Sequence, residues 1–187
     1  MRLTDFRRYL HCSLSLSTLL TAAAILVQPA GAAGVGAGST DRIRITPSPH
    51  TLLVITSTSR GVYTTGDRLE VGLTVDNGGI DAVVDLYFGM LLPDGSTVVS
   101  FTDFGFQVSI GTLADLRSLR PIARNLDLIT PFHFSQPEFY SQTWSGSEAP
   151  GSYAIFFLAA RIGALDDNQL DPEEVVAADV AFFSFTP

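Results

Sequence analysis

The sequence predicts an all-β fold, a single antiparallel β-sandwich of about seven to nine strands behind a signal peptide, and three observations predict it. Residues 68–76 alternate strictly: Leu69, Val71, Leu73 and Val75 are apolar, while Arg68, Glu70, Thr74 and Asp76 are polar. Only a strand with one buried and one wet face needs that alternation. Short β-type segments separated by turn signals recur from about Ile43 to Pro187. No stretch holds a helical period for long. With 46% hydrophobic and 16% charged residues in 187, the chain has the composition of one globular domain with a sizeable core.

The elements follow in order. Arg2, Arg7 and Arg8 form a basic head, Leu14 to Val27 an apolar run, and Ala30 and Ala32 a small-residue cleavage site. That three-part pattern predicts a secretory signal over residues 1–33 and a secreted or periplasmic location. A membrane anchor is the rival, but the run is shorter than the ~20 apolar residues a spanning helix needs, and glycines rather than charges follow it. Arg7-Arg8 leaves a twin-arginine route open, although His11 interrupts the apolar stretch expected behind the pair. Residues 34–42 are small and flexible in composition and read as a linker, and residues 43–187 as the sandwich.

Within the sandwich, Asn77-Gly78-Gly79 ends the alternating strand, and Val84, Leu86, Phe88, Met90 and Leu92 supply a second apolar face. Pro93-Asp94-Gly95 turns the chain into Ser96 to Phe101 as a hairpin. Further strands are expected over residues 52–58, 104–110, 126–134, 139–144, 153–162 and 180–185. Residues 112–125 read as a long crossover, with room for one helical turn near Ala114 to Leu119 before Pro121. In Tyr153 to Ile162 both alternating sets are apolar apart from Arg161. That marks a central strand, or one whose outer face is covered by the crossover or a partner. Two packed sheets are the expected arrangement, and a closed barrel is the alternative.

Tyr63-Thr64-Thr65-Gly66-Asp67-Arg68-Leu69, Val84-Asp85-Leu86-Tyr87, Leu92-Pro93-Asp94-Gly95 and Pro150-Gly151-Ser152-Tyr153 together resemble the immunoglobulin-like β-sandwich modules of secreted bacterial proteins. The resemblance covers roughly Ile43 to Pro187. It implies an architecture and an extracellular setting, and its motifs carry no catalytic residue. The chain departs from antibody-type domains in lacking their cysteine pair.

Charge and composition exclude several functions. Removing residues 1–33 takes three arginines and one aspartate and moves the formal charge from −8 to −10, a sign that repels nucleic acid and anionic lipid. Neither is an expected partner; a protein or polysaccharide surface is. Cys12 falls in the leader and Lys is absent, so a Cys-His site, a Schiff base and a P-loop lysine are all out of reach, and no cofactor is expected. His50 and His133 remain for a Ser-His-Asp site, but Gly146-Ser147 only approximates a nucleophile elbow.

Two stretches carry site candidates. Asp166, Asp167 and Asp171 could offer oxygen ligands to calcium, but they fail the EF-hand spacing. The competing reading is a capping arrangement in which Asp171 starts a short turn, Pro172 occupies its first position and Glu174 closes it. Tyr140, Gln142 and Trp144 fall on one strand face, as a sugar-stacking platform requires, and the competing reading places Trp144 in the core. The sequence therefore leads to a non-enzymatic interaction or structural module, with a carbohydrate-binding module second and a hydrolase using unassigned carboxylates third.

Overall fold

A computed structural model describes residues 51–187, and over them the fold is all-β. The expected signal peptide, the linker, the start of the sandwich at Ile43 and His50 lie outside the described residues. Ten strands follow one another: β1 (Leu52–Thr58), β2 (Val62–Thr64), β3 (Arg68–Asn77), β4 (Val83–Leu91), β5 (Thr97–Phe101), β6 (Val108–Thr112), β7 (Ala123–Asp127), β8 (Phe132–Thr143), β9 (Gly151–Arg161) and β10 (Val175–Thr186). They form a three-stranded sheet in the order β1-β3-β8 and a larger sheet in the order β2-β10-β9-β4-β5-β6, with β7 also pairing β4.

The alternation in β3 does what a half-wet strand must. Leu69, Val71, Leu73 and Val75 are all buried and join Val84, Phe88 and Met90 of β4, Ile155 and Phe157 of β9, and Phe183 and Phe185 of β10 in one core between the sheets. The outer face of the larger sheet is apolar too. Tyr87, Val98, Leu158 and Ala160 are covered there by Leu116 and Leu119 of the crossover and by Ala164 and Leu165 of the β9–β10 loop. Asn168 fastens that cover: its Oδ1 accepts the Leu116 N–H at 2.6 Å and its amide donates to the Ala114 carbonyl at 3.2 Å. β9 is thus both central, between β10 and β4, and covered by the crossover.

The structure departs from the sequence expectation in four places. The strands number ten rather than seven to nine, because the three-residue β2 and a separate β7 are too short to leave a periodic signal. The sheets are antiparallel except that β2 runs parallel to β10, with Val62 opposite Ser184. The stretch 126–134 is two strands: Pro131 interrupts it, and the side chain of buried Asn77 holds the intervening loop by donating to the carbonyls of Leu128 (2.8 Å) and Thr130 (2.9 Å). Residues 104–107 form a loop ahead of β6, closed by Asp103 Oδ1 accepting the N–H groups of Gly105 and Gln107. The helical turn falls within the expected range, as a 3-10 turn at Leu116–Ser118.

β8, by contrast, is longer than expected. It passes through Pro137 by means of a bulge in which residues 137–139 oppose Gly72 alone. Pro lacks an N–H and is tolerated where a ladder is already interrupted on an edge strand. Gly72 permits the close approach, since a Cβ there would lie 3.1 Å from the Pro137 carbonyl oxygen and 2.7 Å from Ser57 Oγ. Gly72→Val is expected to cost about 1–3 kcal/mol, seen as a lower midpoint in urea unfolding. An unchanged midpoint would mean that the bulge does not press on β3.

Carboxylates serve the turns. Asp94 at the β4–β5 hairpin accepts the N–H groups of Ser96 (2.9 Å) and Thr97 (2.8 Å) and the Thr97 hydroxyl. Burial works to raise its pKa, but these hydrogen bonds outweigh it and hold the carboxyl below its ordinary value. A depressed folded pKa gives stability that is present above the unfolded value of about 3.9 and lost as pH falls through the folded one. Asp94→Ala is therefore expected to lose less stability than the parent between roughly pH 5 and pH 2. Equal losses in urea melts at the two pH values would contradict this.

Candidate functional site: an apolar cleft between the sheets

Tyr140, Gln142 and Trp144 do share one face, but that face points inward. Tyr140 is paired with Val71 and Gln142 with Leu69, both core residues, and directly opposed residues project to the same side. Trp144 is 1% exposed, stacked on Phe185 at 4.6 Å and 14°, with Tyr153 edge-on at 5.1 Å. The Tyr140 hydroxyl donates to Gln142 Oε1 at 2.6 Å, its ring rests against Phe101 at 4.7 Å, and burial raises its phenol pKa. A sugar ring cannot reach Trp144, so the stacking platform is replaced by a core tryptophan.

The other candidates have local partners. Asp167 Oδ1 accepts the Gln169 N–H at 2.9 Å, and Glu174 Oε2 accepts the Asp171 N–H at 3.2 Å, the return bond of a capping box in a turn. Among the described residues no three His, Cys, Asp or Glu side chains converge as a metal site would require. EDTA is expected to leave the melting temperature unchanged, whereas a fall of many degrees would place a cation at the 166–171 loop. His133 Nδ1 lies 2.7 Å from Asp76 Oδ1 on the exposed face of the small sheet. The neighbouring Ser135 hydroxyl is bonded to Thr74 Oγ1 instead. Around Gly146-Ser147, Glu148 accepts the N–H groups of Ser145 and Gly146, so this stretch is a closed turn.

What the residues do build is a cleft. Between the sheets, beneath the β8 edge, lies a cavity of about 390 Å³, floored by Leu73, Val75 and Phe157 and walled by Leu126 of β7 and Phe139 of β8. At its mouth stand Phe134, 40% exposed, and Phe104, 63% exposed. Phe139 bridges mouth and core, its ring 6.4 Å from Phe104, 6.1 Å from Phe134 and 5.1 Å from Phe88.

Sheet width opens the cleft. The smaller sheet has three strands, and among described strands β8 pairs with β3 alone, leaving its other edge open. The larger sheet runs on beyond it: Val108 and Ile110 of β6 pair with Phe101 and Val99 of β5, so they project to the core side, yet Ile110 is 74% exposed. Val108 and Ile110 thus add exposed apolar side chains on the core side of β6 to the two phenylalanines of the cleft mouth. Sequence reasoning missed Phe104, Phe134 and Phe139 as a group. The available signal was the crowding of eleven of the thirteen phenylalanines into the second half of the chain, which reads equally well as core.

A fold of this class, two β-sheets packed on a shared core, is what the geometry defines. No protein-family model matches the sequence, and no curated protein matches it. Among solved structures, the chain is similar to a Pseudomonas fluorescens alkylpurine DNA glycosylase AlkC bound to DNA containing an abasic site analog, at 10% identity and a TM-score of 0.36. The match covers 75% of this chain and 32% of that one. A Listeria innocua beta-glucosidase in complex with gluconolactone matches at 13% identity and a TM-score of 0.26, over 73% of this chain and 16% of that one. The chain thus spans less than a third of the length of either.

Proposed function

We propose that this chain is a non-enzymatic, secreted or periplasmic immunoglobulin-like module whose role is interaction, and that the interacting surface is the cleft with its apolar mouth. One observation carries the reading: Phe104 and Phe134 stay exposed around a concave apolar opening, and Val108 and Ile110 stay exposed on the core side of β6, where a sandwich normally buries such side chains. A concave opening lined by apolar side chains is the usual form of a binding site. Asp94, Asp103 and Glu148 spend their carboxylates on backbone N–H groups of turns.

The immunoglobulin-like assignment draws support from one further contact. The Tyr153 hydroxyl donates to the Ala149 carbonyl, four residues upstream at the entry to β9. That is the arrangement of the tyrosine corner in Greek-key sandwiches. Export draws support from the basic, apolar and small-residue pattern of residues 1–33. The test is direct. The chain should be recovered from the periplasm or medium with a new N-terminus near residue 34, and should turn over no glycoside or ester. Retention in the cytoplasm, or an activity lost in a His133→Ala or carboxylate variant, would overturn the proposal.

A further inference from the structure

Resting on the reading of the cleft as the interacting surface, we infer that its occupant is a small, uncharged, apolar molecule, aromatic or branched, rather than a sugar or an ion. The size comes first. A cavity of about 150 Å³ lined by apolar side chains takes up one benzene ring, so about 390 Å³ suits roughly two to three rings or an alkyl group of equal bulk. Binding pockets for small molecules begin at this scale.

The lining decides the chemistry. Leu73, Val75, Leu126, Phe139 and Phe157 offer methyl groups and ring faces and edges, and no hydrogen-bonding side chain. A sugar hydroxyl carried into such a wall loses its water without gaining a partner, at a cost of about 1–3 kcal/mol each. Five phenyl groups, those of Phe104, Phe132, Phe134, Phe139 and Phe157, instead favour a ring packed edge or face on.

Charge decides the rest. His133 borders the cleft, but its imidazole bonds Asp76, which is paired across the strands on the side opposite Val75 and Phe134. No charged head group would find a counter-ion inside. The formal charge of −8 further disfavours an anionic amphiphile. A neutral ligand encounters neither penalty.

The experiment titrates the purified, exported chain with N-phenyl-1-naphthylamine, a neutral three-ring probe, and reads its fluorescence. A saturable rise at one site per chain is expected. Phe134→Asp at the mouth should weaken binding about tenfold or more, since it sets a carboxylate against the ligand. Leu126→Trp, which fills the wall, should do the same. Val62→Ser removes an exposed apolar side chain on β2 and should leave binding unchanged. Circular dichroism establishes that each variant is folded; Phe134, being partly exposed, tolerates replacement if Leu126→Trp does not. No saturable binding, or binding indifferent to both cleft variants, overturns the inference. So does a self-associated parent that Phe134→Asp makes monomeric without any probe uptake, which would assign the cleft to a second copy of the chain. Loss of export or discovery of turnover, with probe binding intact, would sink the module reading and leave the ligand site standing.

Discussion

Trp144→Ala is expected to lower stability by about 3–5 kcal/mol, a fall in melting temperature of roughly 10 °C or more. The indole is 1% exposed and fills the space among Phe185, Tyr153, Phe183 and Tyr63, with ring centroids between 4.6 and 6.4 Å away. Three of these neighbours are held by contacts of their own, Tyr153 lying on Phe183 at 5.4 Å and 4° and Tyr63 meeting Phe183 edge-on at 5.5 Å, and so cannot simply collapse into the void. Its Nε1 is buried without an acceptor among the described residues. Trp144→Phe therefore gives up ring area but relieves an unpaired N–H, and should cost clearly less than the alanine. Equal costs for the two would mean that packing is not what Trp144 supplies.

Phe88→Ala should be comparably severe, about 3–5 kcal/mol by thermal or urea unfolding. Phe88 is fully buried on β4 and touches rings from three directions: Phe101 stacked at 5.0 Å, Phe139 edge-on at 5.1 Å and Tyr140 at 6.2 Å. It forms the back wall of the group that ends at the cleft mouth. Unlike the tryptophan variant, it should also loosen Phe139 and so weaken probe binding. The two clusters share no ring, so the double variant should lose close to the sum of the single losses. That sum approaches the whole stability of an ordinary domain, about 5–15 kcal/mol, and the double variant is expected to be largely unfolded at 37 °C.

How much of this could be read beforehand depended on whether a strand has a wet face. β3 has one: Glu70, Thr74 and Asp76 stay at least partly exposed while their neighbours are buried, and the alternation announced both the strand and its inward set. β1 was legible to the residue. β9 was legible as a strand but not in its setting, because both of its faces are covered and both are therefore apolar.

The site was less legible, for two physical reasons. Parity along β8 correctly placed Tyr140, Gln142 and Trp144 together, but parity does not say which side of the strand meets the other sheet. Pairing with Leu69 and Val71 settles that. Phe139 has the opposite parity and should face water, yet the bulge opposite Gly72 turns it to within 5.1 Å of Phe88. A bulge is invisible to a two-residue period, and the cleft depends on it. The overhang of β6 is likewise a property of sheet widths, which follow from pairings between residues far apart in sequence.

The claim on which the cleft, the core and the strand parity all depend is that β8 turns its even-numbered side chains toward the larger sheet. Trp144 is the sole tryptophan of the chain, so its emission reports that orientation without labelling. The account predicts a blue-shifted native spectrum that acrylamide scarcely quenches and that polysaccharides leave unchanged. A native spectrum as red and as readily quenched as that of the unfolded chain would place Trp144 in water, reverse the strand, and remove both the core and the cleft.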